Sequence, residues 1–286
     1  MAKPIIKAVG GKSQLLPALC ERLPLRFDRY VEPFVGGGAL FFELYERGLT
    51  DERTVLADSN ESLINLYQVV QRDPTRLLRL LQGYRFAHSK DLYSKVRAQF
   101  NRPDRKADVD RWAAMFVYLN KTCFNGLYRE NKSGAFNVPM GKYKNPNICD
   151  TESIEAAHIA FKGIQIVCCG FEATRGLLPV DLSTTFVYFD PPYEPISKTS
   201  NFTQYRAGGF SQDAQRDLAR MARRMSDHGA YVMASNSDCA FIRELWTDAF
   251  EDSISPLTID VVGAARSVNS KGGGRGKINE LIMTNY

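Results

Sequence analysis

The tetrapeptide Asp190-Pro191-Pro192-Tyr193 directly follows the apolar run of residues 185–189. Two consecutive prolines fix their own φ angles and donate no backbone N–H. The Pro191 carbonyl is therefore held in a rigid turn close to the Asp190 carboxylate. Two acceptors so placed can take both hydrogens of an exocyclic amino group and leave its nitrogen lone pair open to an electrophile. Tyr193 offers a flat face for the ring that carries the amino group. Asp190, Pro191, Pro192 and Tyr193 are the candidate catalytic residues.

A second group lies upstream. Glu32-Pro33-Phe34-Val35-Gly36-Gly37-Gly38 ends an apolar run in three glycines, just before a helical pattern. Glycines allow a sharp turn and let a ligand approach the backbone. Asp58 closes the next run, 20 residues beyond Gly38, where a carboxylate can accept both hydroxyls of a ribose. An ordinary strand–helix turn with a surface aspartate is the plainer alternative. The loop alone suits either a dinucleotide or S-adenosylmethionine (SAM).

The elements that must carry these residues are legible from periodicity. Residues 30–35, 54–58, 163–168, 185–190, 230–235, 255–262 and 278–284 read as strands, several apolar throughout, as for strands buried on both faces. Apolar spacing of three and four predicts helices over 11–22, 39–47, 62–71, 75–82, 91–100, 109–119, 151–161, 211–226 and 239–250. The alternation argues an α/β fold with a mainly parallel sheet. Residues ~60–160 carry helices and loops without a strand, which predicts a helical insertion between the second and third strands.

Together, Asp-Pro-Pro-Tyr and Glu-Pro-Phe-Val-Gly-Gly-Gly resemble the SAM-dependent amino-methyltransferases that modify adenine N6 in DNA. Lys7-Ala8-Val9-Gly10-Gly11-Lys12 is similar to the Lys-Trp-x-Gly-Gly-Lys start of the Dam family. Phe124-Asn125-Gly126-Leu127-Tyr128-Arg129 and Phe136-Asn137-Val138-Pro139 resemble its target-recognition hairpin. Blocks at 201–205, 235–236 and 275–277 have counterparts too. The order of motifs is that of the alpha class, and the chain's length and ending look closest to DpnM-like, restriction-associated members. The resemblance implies a Rossmann-like methyltransferase sheet, mostly parallel with an antiparallel edge strand. It also implies a SAM-binding catalytic domain over 1–60 and 160–286 and a target-recognition domain over 61–159. SAM would be held by Lys12, Phe34, Gly36, Gly38, Asp58 and Asp190, and by the backbone of Ala8, which stands where the family commonly has tryptophan. Asp190, Pro191 and Tyr193 would hold a flipped adenine. Arg129 would read a guanine, and Leu127 and Pro139 the bases after the adenine, for a GATC or other GAT-containing site. Phe124 would wedge into the stack, unless it is a core residue. Asn125 would meet the orphaned partner base, Lys7 the first base pair, and Arg275 and Lys277 the phosphates. The partners implied are double-stranded DNA and a restriction endonuclease of the same site. Competing readings are a cytosine-N4, RNA or protein-glutamine amino-methyltransferase, a DNA-binding protein with an inactive methyltransferase fold, and a dehydrogenase, which would leave Asp-Pro-Pro-Tyr without a role.

Charge and cysteine usage agree with this picture. The 286-residue chain carries only +5, but unevenly. Residues 1–20 carry +3, 118–147 carry +4 and 263–279 carry +4, which leaves −6 on the rest. Basic segments on an acidic body suit phosphate binding. Six cysteines without a Cys-x-x-Cys pair, and three scattered histidines, argue for reduced thiols and no metal site. The chain has no apolar run of membrane-spanning length and no secretory leader, so a cytoplasmic protein is expected.

Overall fold

Every apolar run identified above forms a strand. These are β1 (Arg29–Glu32), β2 (Val55–Asp58), β3 (Gln165–Cys168), β4 (Thr185–Phe189), β5 (Tyr231–Ser237), β6 (Thr258–Ala265) and β7 (Lys277–Thr284). The computed structural model describes residues 2–7, 12–131, 133–195, 210–265 and 277–286. Ala8, Arg275 and the block at 201–205 lie outside the described residues, and of Lys277 only the backbone is described.

The strands make one sheet in the order β3-β2-β1-β4-β5-β7-β6. β1 pairs in parallel with β2 and β4, β2 with β3, and β4 with β5. β7 runs antiparallel to both β5 and β6, so one edge is antiparallel, as expected.

The helices are α1 (Leu16–Cys20), α2 (Ala39–Glu46), α3 (Glu61–Arg72), α4 (Thr75–Phe86), α5 (Lys90–Phe100), α6 (Val109–Thr122), α7 (Thr151–Ala160), α8 (Phe171–Thr174), α9 (Gln212–Asp227) and α10 (Ala240–Phe250). Asn60, Ser89, Asp108, Asp150 and Ser211 each accept a first-turn backbone N–H at the start of α3, α5, α6, α7 and α9. Such caps satisfy donors the helix cannot. The helix expected over 11–22 is shorter than its apolar pattern. A 3-10 turn at Lys12–Gln14 precedes α1, whose first turn contains Pro17, the part of a helix where a missing N–H costs nothing. The four-residue α8 is too short to show a period. Among the described residues of 61–159 there is no strand, only the isolated bridges Cys123↔Met140 and Glu130↔Phe136.

Side chains alternate between two cores. Tyr30, Leu56, Phe186, Tyr188 and Met233 join α2, α3, α6 and α7 on one face. Val31, Val55, Val187, Phe189, Val232 and Ala234 join α9 and α10 on the other. α3 lies against the sheet: Gln68 Nε2 donates to the Ile166 carbonyl (3.0 Å) and Gln71 Nε2 to that of Ile164 (2.8 Å). α4, α5 and α6 stack beyond α3 in the same apolar cluster.

The strand order reverses between β1 and β4. β1 leads to β2 on one side, whereas its other neighbour, β4, comes later in the chain. A crevice at the carboxyl ends of such strands is the usual ligand position in open α/β sheets. Three acids stand at those ends: Glu32 in β1, Asp58 in β2 and Asp190 just after β4. Glu32 is only 3% exposed, and its Oε2 accepts the Tyr30 hydroxyl at 2.9 Å. Burial pushes its carboxyl well above the usual range, and the charges of Asp190 and Asp58 add to the rise. Glu32 is therefore protonated where an unfolded chain would already have released the proton. That contribution is fully present below the ordinary carboxyl pKa of 4.5 and is lost as pH rises above it. Glu32→Gln should thus gain stability relative to the wild type as pH rises from about 5 to about 8, read by chemical denaturation at each pH. A difference that stays constant over that window would show that Glu32 is ionised in the fold.

Candidate active site and nucleic-acid interface

The pairing Val31↔Val187 sets the ends of β1 and β4 side by side. The glycine turn after β1 and the Asp190-Pro191-Pro192-Tyr193 turn after β4 are thus neighbours by topology. In the first turn, Val35 N donates to the Ala57 carbonyl (2.9 Å) and Gly36 N to Asp58 Oδ2 (3.1 Å). The Tyr67 hydroxyl donates to the Gly36 carbonyl at 2.7 Å. Gly36 and Gly38 have φ of 45° and 70°, conformations that glycine adopts without a Cβ penalty. Asp58 Oδ1 also accepts Asn60 N at 2.8 Å. Phe34 stacks on Phe171 with ring centroids 5.5 Å apart, and Phe210 meets it edge-on at 5.7 Å. These three rings form an aromatic wall beside the turn. Phe171 and Phe210 were not anticipated, because lone phenylalanines outside a motif carry no signal of a ligand.

In the second turn, Asp190 Oδ1 accepts the Ser235 hydroxyl at 3.0 Å and pairs with the Lys12 ammonium at 2.9 Å. Ser235 is in turn hydrogen-bonded to Tyr188 (2.9 Å). The Lys12 Nζ also donates to the Tyr193 hydroxyl (2.6 Å) and lies 4.0 Å from that ring's centroid. The Tyr193 hydroxyl in turn donates a hydrogen bond to Glu280 Oε2 at 2.9 Å. Burial and the Asp190 charge push the Tyr193 phenol well above its usual range, so it stays a donor. Lys12 therefore sits against both Asp190 and Tyr193.

The turn is pinned from below. Gln215 Nε2 donates to the Pro192 carbonyl (3.0 Å), and Gln215 Oε1 accepts Asn236 Nδ2 (3.1 Å). Asn236 Oδ1 accepts Glu194 N (3.1 Å), and the Ser237 hydroxyl donates to the Glu194 carbonyl (2.6 Å). A buried polar network with its members paired fixes one geometry. Gln215, Ser237 and Glu280 were missed. Gln215 did leave a trace in the sequence: it falls in register with Leu218, Ala219 and Ala222 on the buried stripe of α9.

A second constellation lies where α6 ends. Asn120 holds the N-terminal segment on both sides: its Oδ1 accepts Lys7 N (2.8 Å) and its Nδ2 donates to the Lys7 carbonyl (2.8 Å). The same Nδ2 reaches the Gly126 carbonyl at 3.1 Å. A Cβ at Gly126 would lie 2.5 Å from Lys7 Cδ, so only glycine lets these segments cross. The Lys7 ammonium lies 4.0 Å from the centroid of the Tyr143 ring. Phe124 is 53% exposed and so is not a core residue. Asn125 beside it takes a left-handed φ of 57°. Phe124 N donates to the Pro139 carbonyl (2.9 Å), which closes the base of a hairpin. Arg129 Nε donates to Asn137 Oδ1 (3.0 Å) across it. That bond engages Nε and not the terminal nitrogens of the guanidinium fork. Pro139 is exposed, whereas Leu127 is half-buried against the core. α5 holds the returning limb: Asn101 Oδ1 accepts Phe136 N (2.8 Å), and the Tyr93 hydroxyl donates to the Val138 carbonyl (2.9 Å). The structure thus gathers Lys7, Phe124, Asn125, Leu127, Arg129 and Pro139 around one hairpin. Among the described residues, no group of histidines, cysteines and acids could hold a metal ion.

Residues 9–258 match the family model of D12 class N6 adenine-specific DNA methyltransferases. The chain is 39% identical to the type II methyltransferase M.MjaIII of Methanocaldococcus jannaschii over 99% of both chains. It is also 39% identical to M1.LlaDCHI of Lactococcus lactis subsp. cremoris, over 99% of this chain and 95% of that one. The DNA adenine methylase of Escherichia coli is 34% identical over 98% of this chain and 94% of its own length. With a family model matched over most of its length and full-length identity of this degree, the chain belongs to the D12 class of N6 adenine-specific DNA methyltransferases.

Proposed function

We propose that the chain transfers the methyl group of SAM to N6 of an adenine flipped out of duplex DNA, within a GATC or other GAT-containing site. The observation that carries this reading is the Lys12 ammonium, lodged 2.9 Å from Asp190 Oδ1 and 4.0 Å from the Tyr193 ring centroid. A nitrogen donor held by that carboxylate, over that ring, occupies the place an adenine amino group would take. The residues fit the cofactor: the glycine turn admits a close backbone approach, Asp58 stands at the offset for a ribose, and the Phe34–Phe171–Phe210 wall suits a purine face. Phe34, Gly36, Gly38 and Asp58 would hold SAM on that side, and Lys12 and Asp190 would lie between it and the target base. When bound, SAM supplies an electrophilic sulfonium methyl.

The work of the chain is to position and to stabilise charge. A base inside a duplex is out of reach of this turn and must be flipped, at a cost of a few kcal/mol. Asp190 and the Pro191 carbonyl accept the two amino hydrogens, aim the lone pair and stabilise positive charge as it develops on N6. Ser235 fixes the carboxylate's orientation, Lys12 holds its acceptor until the amino group displaces it, and Tyr193 supplies the stacking face. On the DNA side, Arg129 would read guanine O6 and N7, Leu127 and Pro139 the following bases, and Phe124 and Asn125 the gap left by the flipped base. Lys7, Arg275 and Lys277 would complete the contacts. Residues 1–60 and 160–286 would form the catalytic part and 61–159 the recognition part, with α3 and α7 shared with the sheet's covering layer. The higher identity to two type II enzymes supports a cognate endonuclease of the same site as partner, and cytoplasmic action.

Asp190→Ala should abolish transfer of labelled methyl from SAM to a GATC duplex, a loss of at least about 10²–10³-fold. Activity near that of the wild type would end the assignment. Arg129→Ala should bind SAM unchanged by calorimetry. Its preference for GATC over a duplex altered at the first base should fall by about 10–100-fold, the worth of a bidentate guanine contact. Retained preference would place guanine reading elsewhere.

A further inference from the structure

A cavity of about 480 Å³ opens beside the recognition hairpin, lined by Arg85, His88, Lys144, Asn145 and Asn147 with Ile148 at its floor. The lining holds two cations, a histidine and two amides, and no carboxylate. It stands apart from the Asp190 turn and involves none of the residues given a role above.

Both walls are built rather than incidental. Arg85 is in the last turn of α4, and His88 follows just before α5. His88 Nδ1 is hydrogen-bonded to the Tyr118 hydroxyl of α6 at 2.9 Å, which leaves Nε2 as the ring nitrogen available to the cleft. Burial holds this histidine below its usual pKa, so it serves as a neutral hydrogen-bonding group and the charge comes from Arg85 and Lys144. The opposite wall is a tight loop in which Ile148 N bonds the Pro146 carbonyl at 2.9 Å. Ile148 is 1% exposed, and Cys149 Sγ contacts the Leu78 carbonyl of α4 at 3.8 Å, so the loop is anchored to the same helix that carries Arg85.

The cleft shares its supports with the DNA-reading hairpin. Lys144 follows Tyr143, whose ring lies under the Lys7 ammonium, and Lys7 is clamped to the hairpin base through Asn120 and Gly126. Tyr118, which holds His88, lies on the helix that runs into Phe124. An acid-free set of an arginine, a lysine and amide donors fits an oxyanion. Beside a hairpin that reads bases, the oxyanion at hand is the backbone of the same duplex.

We propose that this cleft binds a DNA backbone phosphate flanking the recognition site, through Arg85 and Lys144 with Asn145, Asn147 and His88 as neutral partners. The proposal rests on the reading of the chain as a duplex-DNA methyltransferase and extends its footprint beyond the target sequence. One phosphate contact of this kind adds affinity without base preference and makes it salt-dependent.

The test compares a short GATC duplex, ending about two base pairs beyond the site, with one extended by about ten base pairs on each side. Arg85→Ala should weaken binding of the long duplex by about three- to tenfold. It should also reduce the slope of log affinity against log salt by about one. It should leave binding and methylation of the short duplex, and SAM affinity, at wild-type values. Arg85→Lys should restore most of the salt slope. Lys144→Ala combined with Arg85→Ala should cost less than the two single losses together, as expected when both hold one phosphate. Equal loss on both duplexes, or no loss on either, overturns the proposal. So does saturable binding of inorganic phosphate to the wild type but not to Arg85→Ala, with both duplexes unaffected, which would make the cleft a free-anion site. Wild-type methylation of the short duplex is measured in the same series, so a failure of the methyltransferase reading would be seen there and not mistaken for a failure of the cleft.

Discussion

The parallel pairing of β1 with β4 is the constraint on which the site depends. The two strands are far apart in sequence and reach each other only because the order reverses between them. Once Val31 faces Val187, the glycine turn and the Asp-Pro-Pro-Tyr turn leave the sheet together. Every residue of β4 is buried, with alternate side chains serving opposite cores. A one-residue slip would exchange those faces and carry Asp190 away from Ser235 and Lys12. The same packing that stabilises the sheet therefore sets the distance between the two turns.

Charge balance is the second requirement. Glu32, Asp58, Asp190 and Glu280 all stand around one crevice, and a fully ionised set would repel. The fold avoids this in distinct ways. Glu32 accepts the Tyr30 hydroxyl, and its burial pushes the carboxyl toward the neutral form. Asp58 is held by the backbone N–H groups of Gly36 and Asn60. Asp190 and the Tyr193–Glu280 pair share the Lys12 ammonium. In the proposed reaction, a base that takes over the Asp190 acceptor would displace this cation. The carboxylate is thus never without a donor, which lowers the cost of keeping it half-buried before substrate arrives.

The sheet was legible in the sequence because its strands are apolar runs flanked by turn residues, and a strand buried on both faces needs no finer pattern. The two turns were legible for a different reason: proline pairs and glycine triplets restrict the backbone wherever they occur. The supports of those turns were not. Glu280 and Ser237 are ordinary strand residues until β5 and β7 pair, and nothing local says that Tyr193 will find Glu280 across 87 positions. Phe171 becomes part of the aromatic wall only because β3 ends beside β2. Pro17 was visible, yet the apolar spacing around it suggested a longer helix than proline permits. The hairpin was recognised by its residue order, and its isolated bridges are too few to leave a strand pattern.

The N-terminal segment contacts both the hairpin and the Asp190 turn. Lys7 is fixed to α6 and to the hairpin base through Asn120, and Lys12 reaches the Asp190 turn. They are five positions apart in sequence, so their Cα atoms lie within about 18 Å of each other. The same short N-terminal segment thus supplies a group to each constellation. The clamp at Asn120 uses main-chain groups of Lys7 and Gly126 and leaves the lysine side chain to Tyr143. The anchor is thus independent of the lysine side chain, whose contact can change without releasing it.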